Sequence, residues 1–368
     1  MAEVFFRRFR LDEEDLKEYH EDPVTVKKRL SEIDKEVRRE AKAEHCYYCQ
    51  KQVSGFCNSH SVPRFCLKKI ATNGDVYLSS KLIDVPFIEM EEGVKRAGTF
   101  QIICRKCDGR VFQQYESPEA YSQTPSGQVL AQIAMKNLLQ LIAKRRYELV
   151  QNRALSEKNP WFWVLEGADT AQTKGLDLGE YEVAFFRAKV GSYGKHNSNY
   201  RILFARAVDY VVPVAAQTAI TMICDFERNV INNIYNLDNR YHTEMIHIAI
   251  FPLESTSVIL AFVDSRHTRY RRFAQQLNAL EPDDQLLAVL YIILIYSENV
   301  FFSKELETLL SEDQGLRAAA QMDTSVDLDS PVDRRLSAAC VEFDLSKRCT
   351  IPNLLSKEYA LFPKGKTF

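Results

Sequence analysis

The sequence predicts an α+β fold, and three observations carry that prediction. Two Cys-x-x-C pairs lie in the amino-terminal third, a long stretch with helical apolar spacing follows them, and β-branched and aromatic runs in the second half give way to helices. The chain has 368 residues, 46% hydrophobic and 27% charged, enough for a sizeable core; disordered, collagen-like and disulfide-knot classes are excluded. Forty-eight Lys+Arg against 50 Asp+Glu leave a formal charge of -2, so nucleic-acid binding would need a local patch. The most apolar run, Leu286 to Tyr296, is 11 residues, too short to span a bilayer. Arg7, Arg8 and Arg10 followed by acidic Asp12 to Asp15 do not make a secretory signal, so the expectation is a cytoplasmic protein with no membrane partner.

Taken in order, Asp22-Pro23 opens an amphipathic helix to Glu44, with Val26, Leu30, Ile33 and Val37 on one side. Cys46-Tyr47-Tyr48-Cys49 and Cys104-Arg105-Lys106-Cys107 are knuckles in which both thiolates can face one ion at about 2.3 Å. Two knuckles make a four-thiolate site for a structural Zn2+. Cys57-Asn58-Ser59-His60 offers a rival set, Cys46, Cys49, Cys57 and His60, but leaves the second knuckle unexplained. A redox pair would need a βαβ setting, which is not visible. Cys66, Cys224, Cys340 and Cys349 read as ordinary buried thiols. Ser126 to Val150 is a helix, with Val129, Ile133, Ala134, Leu138, Leu141 and Ile142 on one face and Lys144, Arg145 and Arg146 near its carboxyl end.

From Asn152 to Ser198 the helical period fades, and Gly167, Gly175, Gly179, Gly191 and Gly194 suggest short segments, with a domain boundary inside Asn152 to Asn159. Arg201–Tyr210, Val214–Cys224, Met245–Phe251 and Ser257–Val263 read as strands of an antiparallel sheet, the last two forming a hairpin around Pro252 to Thr256. Helices at Tyr270–Asn278, Asp284–Tyr296 and Ser303–Ser311 would cover it, and Asp323 to Asp333 reads as an exposed loop. Arg266, His267, Arg269, Arg271 and Arg272, interleaved with Tyr270 and Phe273, suggest phosphate and base contacts or a solvated rim. The expected organisation is a helical segment (1–43), a zinc module (44–116), a connecting helix (117–152) and an α+β domain of unread role (153–368). No phosphate loop, dinucleotide fingerprint, nucleophile elbow, kinase set or internal repeat is present.

Between the knuckles stands Ser59-His60-Ser61-Val62-Pro63, and Thr99-Phe100-Gln101-Ile102-Ile103 leads into the second. Over residues 44 to 116 this layout resembles the zinc-supported branch of the HNH (His-Me finger) endonucleases, in divergent form. The resemblance implies a treble-clef or ββα module, with a strand carrying His60 as general base and a helix starting at the second knuckle. It also implies a separate catalytic Mg2+ or Mn2+. Ser59 stands where that family has a metal-binding Asp or Glu, Thr99 where it has an orienting Asn, and Asp108 where it has His or Asn. Asp108 is then either a ligand of the catalytic ion or a helix N-cap. Glu116 is a further carboxylate nearby, or part of a solvated face.

Such a site hydrolyses phosphodiesters because a neutral imidazole takes a proton from water and a divalent cation stabilises the scissile phosphate. Over residues 44 to 112, ten Lys+Arg against seven Asp+Glu give a local surplus of +3. Arg64, Lys68, Lys69, Arg105, Lys106 and Arg110 are the candidate phosphate contacts, DNA before RNA. The functional expectation is a metal-dependent HNH-like nuclease, by analogy of layout one of bacterial phage defence or mobile elements. The alternative is a non-catalytic, zinc-stabilised module binding nucleic acid or protein. In either case residues 153–368 are the expected place for a protein partner or activating ligand.

Overall fold

A computed structural model describes residues 21–83, 89–158, 161–194, 199–322 and 331–361. The chain is α+β. Helix α1 (Pro23–Glu40) is capped by the Asp22 carboxylate, which accepts from the Thr25 amide at 3.1 Å. Val37 on it is fully buried, whereas the side chains of Val26 and Leu30 lie outside the described residues, as do residues 1–20 of the expected amino-terminal segment. Strands β1 (Ser59–His60) and β4 (Thr99–Phe100) form a small antiparallel pair. Between them come helix α2 (Arg64–Ile70) and strands β2 (Asp75–Leu78) and β3 (Glu91–Gly93). Helix α3 (Arg105–Val111) follows β4.

Two long helices come next, α4 (Gly127–Lys158) and α5 (Trp161–Gly191), packed side by side. The α5 helix corrects the expectation of short, glycine-broken segments across 152–198. Glycine costs a helix about 1 kcal/mol per position, and contact with α4 outweighs that cost along the described turns. The remaining elements are β5 (Tyr200–Val208), β6 (Val214–Ile220), β7 (Ile246–Pro252), β8 (Ser257–Asp264), α6 (Arg271–Ala279), α7 (Pro282–Tyr296), β9 (Val300–Phe302), α8 (Glu307–Glu312), α9 (Gln314–Ala320) and α10 (Val332–Glu342). Asp333 therefore belongs to a helix, and 323–330 of the expected loop lie outside the described residues.

One seven-stranded antiparallel sheet, in the order β3-β2-β9-β6-β7-β8-β5, organises the molecule. The β7–β8 hairpin closes with Pro252 opposite Ser257. Strands β6, β7 and β8 are buried along their whole length. Alternation sends Ala216, Ile220, Ile248, Ile250, Ile259 and Val263 to one face, where α6, α7, α9 and α10 cover them. Ala215, Ala249, Phe251, Leu260 and Phe262 face the other way, into a core shared with α2, α4 and the residues around the knuckles. Strands β2 and β3 extend the sheet beyond β9, so sheet and amino-terminal region are one hydrogen-bonded structure.

That second core contains a polar chain. The buried Tyr115 hydroxyl donates to Gln217 Oε1 at 2.8 Å and lies 3.2 Å from the Ser61 carbonyl. Gln217 Nε2 donates to Asn137 Oδ1 at 2.8 Å, and Asn137 Nδ2 donates to His247 Nδ1 at 3.1 Å. Burial first, then the nearby His267, pushes the His247 imidazole down to about 3. His247 is thus neutral in the fold while the unfolded chain binds a proton below its ordinary value near 6.5, and stability falls as pH drops between about 6.5 and 3. The expected slope approaches about 1.4 kcal/mol per pH unit, and His247→Gln should flatten it in pH-dependent urea melts.

Gly98 ties β4 to the sheet. Its φ is +62°, and an added Cβ would meet Phe301 Cζ at 2.5 Å and Ser61 Oγ at 2.6 Å. Gly98→Ala should therefore destabilise the fold by about 1–3 kcal/mol, read as a lower denaturation midpoint.

Candidate metal centre and the adjoining polar site

The first knuckle is a tight reversal. The Gln50 amide donates to the Cys46 carbonyl at 2.8 Å, and Gln50 takes a left-handed φ of 57°. In the second, Cys104 is the N-cap of α3 and Cys107 lies in its first turn, the Cys107 amide donating to the Cys104 carbonyl at 3.0 Å. Backbone bonds join the two: Tyr47 N to Ile102 O at 3.0 Å and Cys57 N to Ile103 O at 3.1 Å. The Cys104 amide donates to Cys46 Sγ at 3.3 Å, a bond suited to a thiolate.

All four sulfurs lie within 4.8 Å of one another, and among the described residues they are the one group of this kind. Tetrahedral zinc with ligands at about 2.3 Å spaces its sulfurs about 3.8 Å apart, so the donor set fits a structural ion such as Zn2+. The rival Cys57 and His60 take no part in the cluster. Of the thiols expected to be buried, Cys66, Cys224 and Cys340 are, but Cys349 is exposed, in the 3-10 turn that follows α10. The backbone amide of Lys51 brings the Cys49 thiol down to about 7, whereas burial pushes Cys46 up. On α5, the Lys189 ammonium donates to the Tyr48 carbonyl at 2.5 Å and lies over the Tyr48 ring, holding the first knuckle against that helix.

His60 sits in β1 opposite Thr99. Its Nε2–H donates to the Val94 carbonyl at 2.9 Å, which leaves the lone pair on Nδ1. Burial, then the charges of Lys136 and Arg64, holds its imidazole below the ordinary value despite that bond. The ring is therefore neutral at neutral pH. Thr99 does not orient it, since the Thr99 hydroxyl donates to the Arg96 carbonyl at 2.9 Å. The orienting group is a main-chain carbonyl, for which no side-chain motif exists.

Ser59 points the opposite way and is fully buried. Its hydroxyl donates to Asp108 Oδ1 at 2.6 Å. Onto both comes the ammonium of Lys136 from α4, at 2.9 Å from Ser59 Oγ, 3.0 Å from Asp108 Oδ1 and 3.4 Å from Glu116 Oε1. The Lys136 side chain has no exposed surface. Burial raises the Asp108 carboxyl, but Lys136 and the Ser59 hydroxyl outweigh it and hold Asp108 below the usual carboxylate range. Glu116, more weakly paired, is pushed up by burial.

Asp108 is not a helix cap, because the N-cap of α3 is Cys104 and Asp108 lies inside the helix. Nor do these residues fit a catalytic Mg2+ or Mn2+. An ion on Asp108 would share its carboxylate with an ammonium 3.0 Å away. Sequence reading missed Lys136 because it lies 28 residues past Asp108. Its one signal is a lysine in helical phase with Val129 and Ile133, on the face that should be apolar.

The expected phosphate contacts divide. Arg64 and Lys68 on α2 and Arg105, Lys106 and Arg110 on α3 are exposed, and none has a carboxylate partner among the described residues. Lys69 instead pairs with Glu254 at 3.1 Å. In the second half Arg266 pairs with Asp264, Arg269 with Glu244, and Arg272 with Asp225 and Glu227. Tyr270 and Phe273 there are core residues, so base stacking on that cluster is overturned. No helix of the described residues is long and apolar enough to cross a membrane. Comparison with family models, curated proteins and solved structures returns no match.

Cys107→Ser should reduce bound zinc from one ion per chain to near none by atomic absorption and lower the melting temperature by roughly 5 °C or more.

Proposed function

We propose that residues 44–116 act as a zinc-stabilised nucleic-acid-binding module, with double-stranded DNA as the first ligand to test. The observation that carries this reading is the set of exposed cations with no carboxylate partner among the described residues, Arg64, Lys68, Arg105, Lys106 and Arg110, on the two helices that begin beside His60 and at the second knuckle. Guanidinium and ammonium groups on rigid helix turns neutralise successive phosphates, and each contact releases counterions. The thiolate cluster, by fixing the start of α3 against the first knuckle, would hold three of the five in place. The sheet and its far helices are then a platform on which a protein partner or activating ligand could act.

One observation favours a second reading, HNH-like phosphodiester hydrolysis. The Val94 carbonyl fixes the His60 tautomer, and a neutral Nδ1 is the form a general base needs. His60 would take the proton of an attacking water. Against it stands Lys136 on Asp108, where the resemblance asks for a metal ligand.

Binding should weaken steeply with salt, and the triple variant Arg64→Gln/Lys68→Gln/Arg105→Gln should lower DNA affinity about tenfold or more and flatten the salt slope by roughly 2 to 3. Fluorescence anisotropy of a labelled duplex across a salt series measures both; an unchanged slope would remove the proposal. Incubating supercoiled DNA with zinc-replete protein and Mg2+ or Mn2+ tests the second reading. Nicking that disappears in His60→Ala would establish hydrolysis, whereas DNA binding without nicking leaves the first reading standing alone.

A further inference from the structure

We infer that Lys136 is the resident cation of the polar site, its ammonium filling the place where Ser59, Asp108 and Glu116 would otherwise collect a divalent ion. Three oxygens from three separate segments converge on Nζ at 2.9, 3.0 and 3.4 Å. That matches the three hydrogens of an ammonium, and each contact is wider than the about 2.0–2.1 Å that Mg2+ demands. Nζ also lies over the Phe112 ring, 3.8 Å from its centroid, with the Tyr115 ring at 5.6 Å, and π faces favour a monovalent organic cation.

The charge balance points the same way. Two carboxylates against one ammonium leave a single negative charge, and a divalent ion brought to Asp108 would be repelled by Nζ at close range in a poorly solvated site. Without the lysine, two hard carboxylates and a hydroxyl would face one space, the donor type that Mn2+ accepts. Glu116, 42% exposed, would give that space a route to solvent. Lys136 therefore does for these oxygens what a metal would do, but covalently attached and unable to leave. This inference stands apart from nucleic-acid binding and holds whether or not the module takes DNA.

The test uses the full-length, zinc-replete chain and Mn2+ as probe, followed by the electron paramagnetic resonance signal of free Mn2+ and by thermal melts. Lys136→Ala should take up one Mn2+ at least about tenfold more tightly than wild type and gain several degrees of melting temperature with it. Wild type and the double variant Lys136→Ala/Asp108→Asn should do neither. If Lys136→Ala is not recovered folded, Lys136→Gln, which keeps a donor for Ser59 while removing the charge, serves the same comparison. Folded variants that gain no Mn2+ would overturn the inference. So would Mn2+ uptake by wild type that Asp108→Asn abolishes, since ion and ammonium would then share the site.

Discussion

Strands β6, β7 and β8 are buried and mostly apolar on both faces, and everything else is arranged by the need to keep water from each side. A one-faced sheet could end at its own hairpins, but this one requires a layer on either side. The carboxyl-terminal helices supply one, with α7 buried nearly all round. The other comes from α4 and the knuckle region, built from earlier parts of the chain. The small cysteine module is thus part of the layer that covers Phe251, Leu260 and Phe262.

Polar groups lie between the sheet and that covering layer, and they are satisfied in an ordered way. Tyr115, Gln217, Asn137 and His247 pass hydrogen bonds from the middle of the sheet to the backbone next to His60. A few ångströms of chain away, Ser59, Asp108, Glu116 and Lys136 form a second, charged group. Removing Lys136 would leave the fully buried Ser59 hydroxyl and the largely buried Asp108 carboxylate without their cation, which costs more than the bond itself returns. The position of β1 is therefore set by the interior of the protein on one side and by the thiolate cluster on the other. A histidine whose ring is pinned by a carbonyl sits where those two constraints meet.

Much of this was readable from residues, for identifiable reasons. The β7–β8 hairpin has the strongest signal, two β-branched and aromatic runs around Pro252 to Thr256, and it forms within a residue of the expected bounds. Spacing alone pairs the four cysteines, and their sulfurs lie within 4.8 Å of one another. Helix α5 was not legible, because its glycines argue locally against a helix that contact with α4 sustains. Strands β2 and β3 are four and three residues long, too short for periodicity; they pair with each other, and β2 joins the sheet only through β9, far along the chain. Val94 acts through its carbonyl and Lys136 across helices, and neither kind of role leaves a local pattern.

The pairing of β2 with β9 also sets a timetable. Tyr77 and Leu78 lie opposite Phe302 and Phe301, so the edge that carries them has no partner until more than 200 further residues have left the ribosome. At about 5–20 residues per second that is a wait on the order of ten to forty seconds. The two cysteine pairs, 54 residues apart, emerge much earlier. An ion seized at that stage would pin the waiting strands inside a closed loop, shielding a sticky edge from other nascent chains until its own partner arrives.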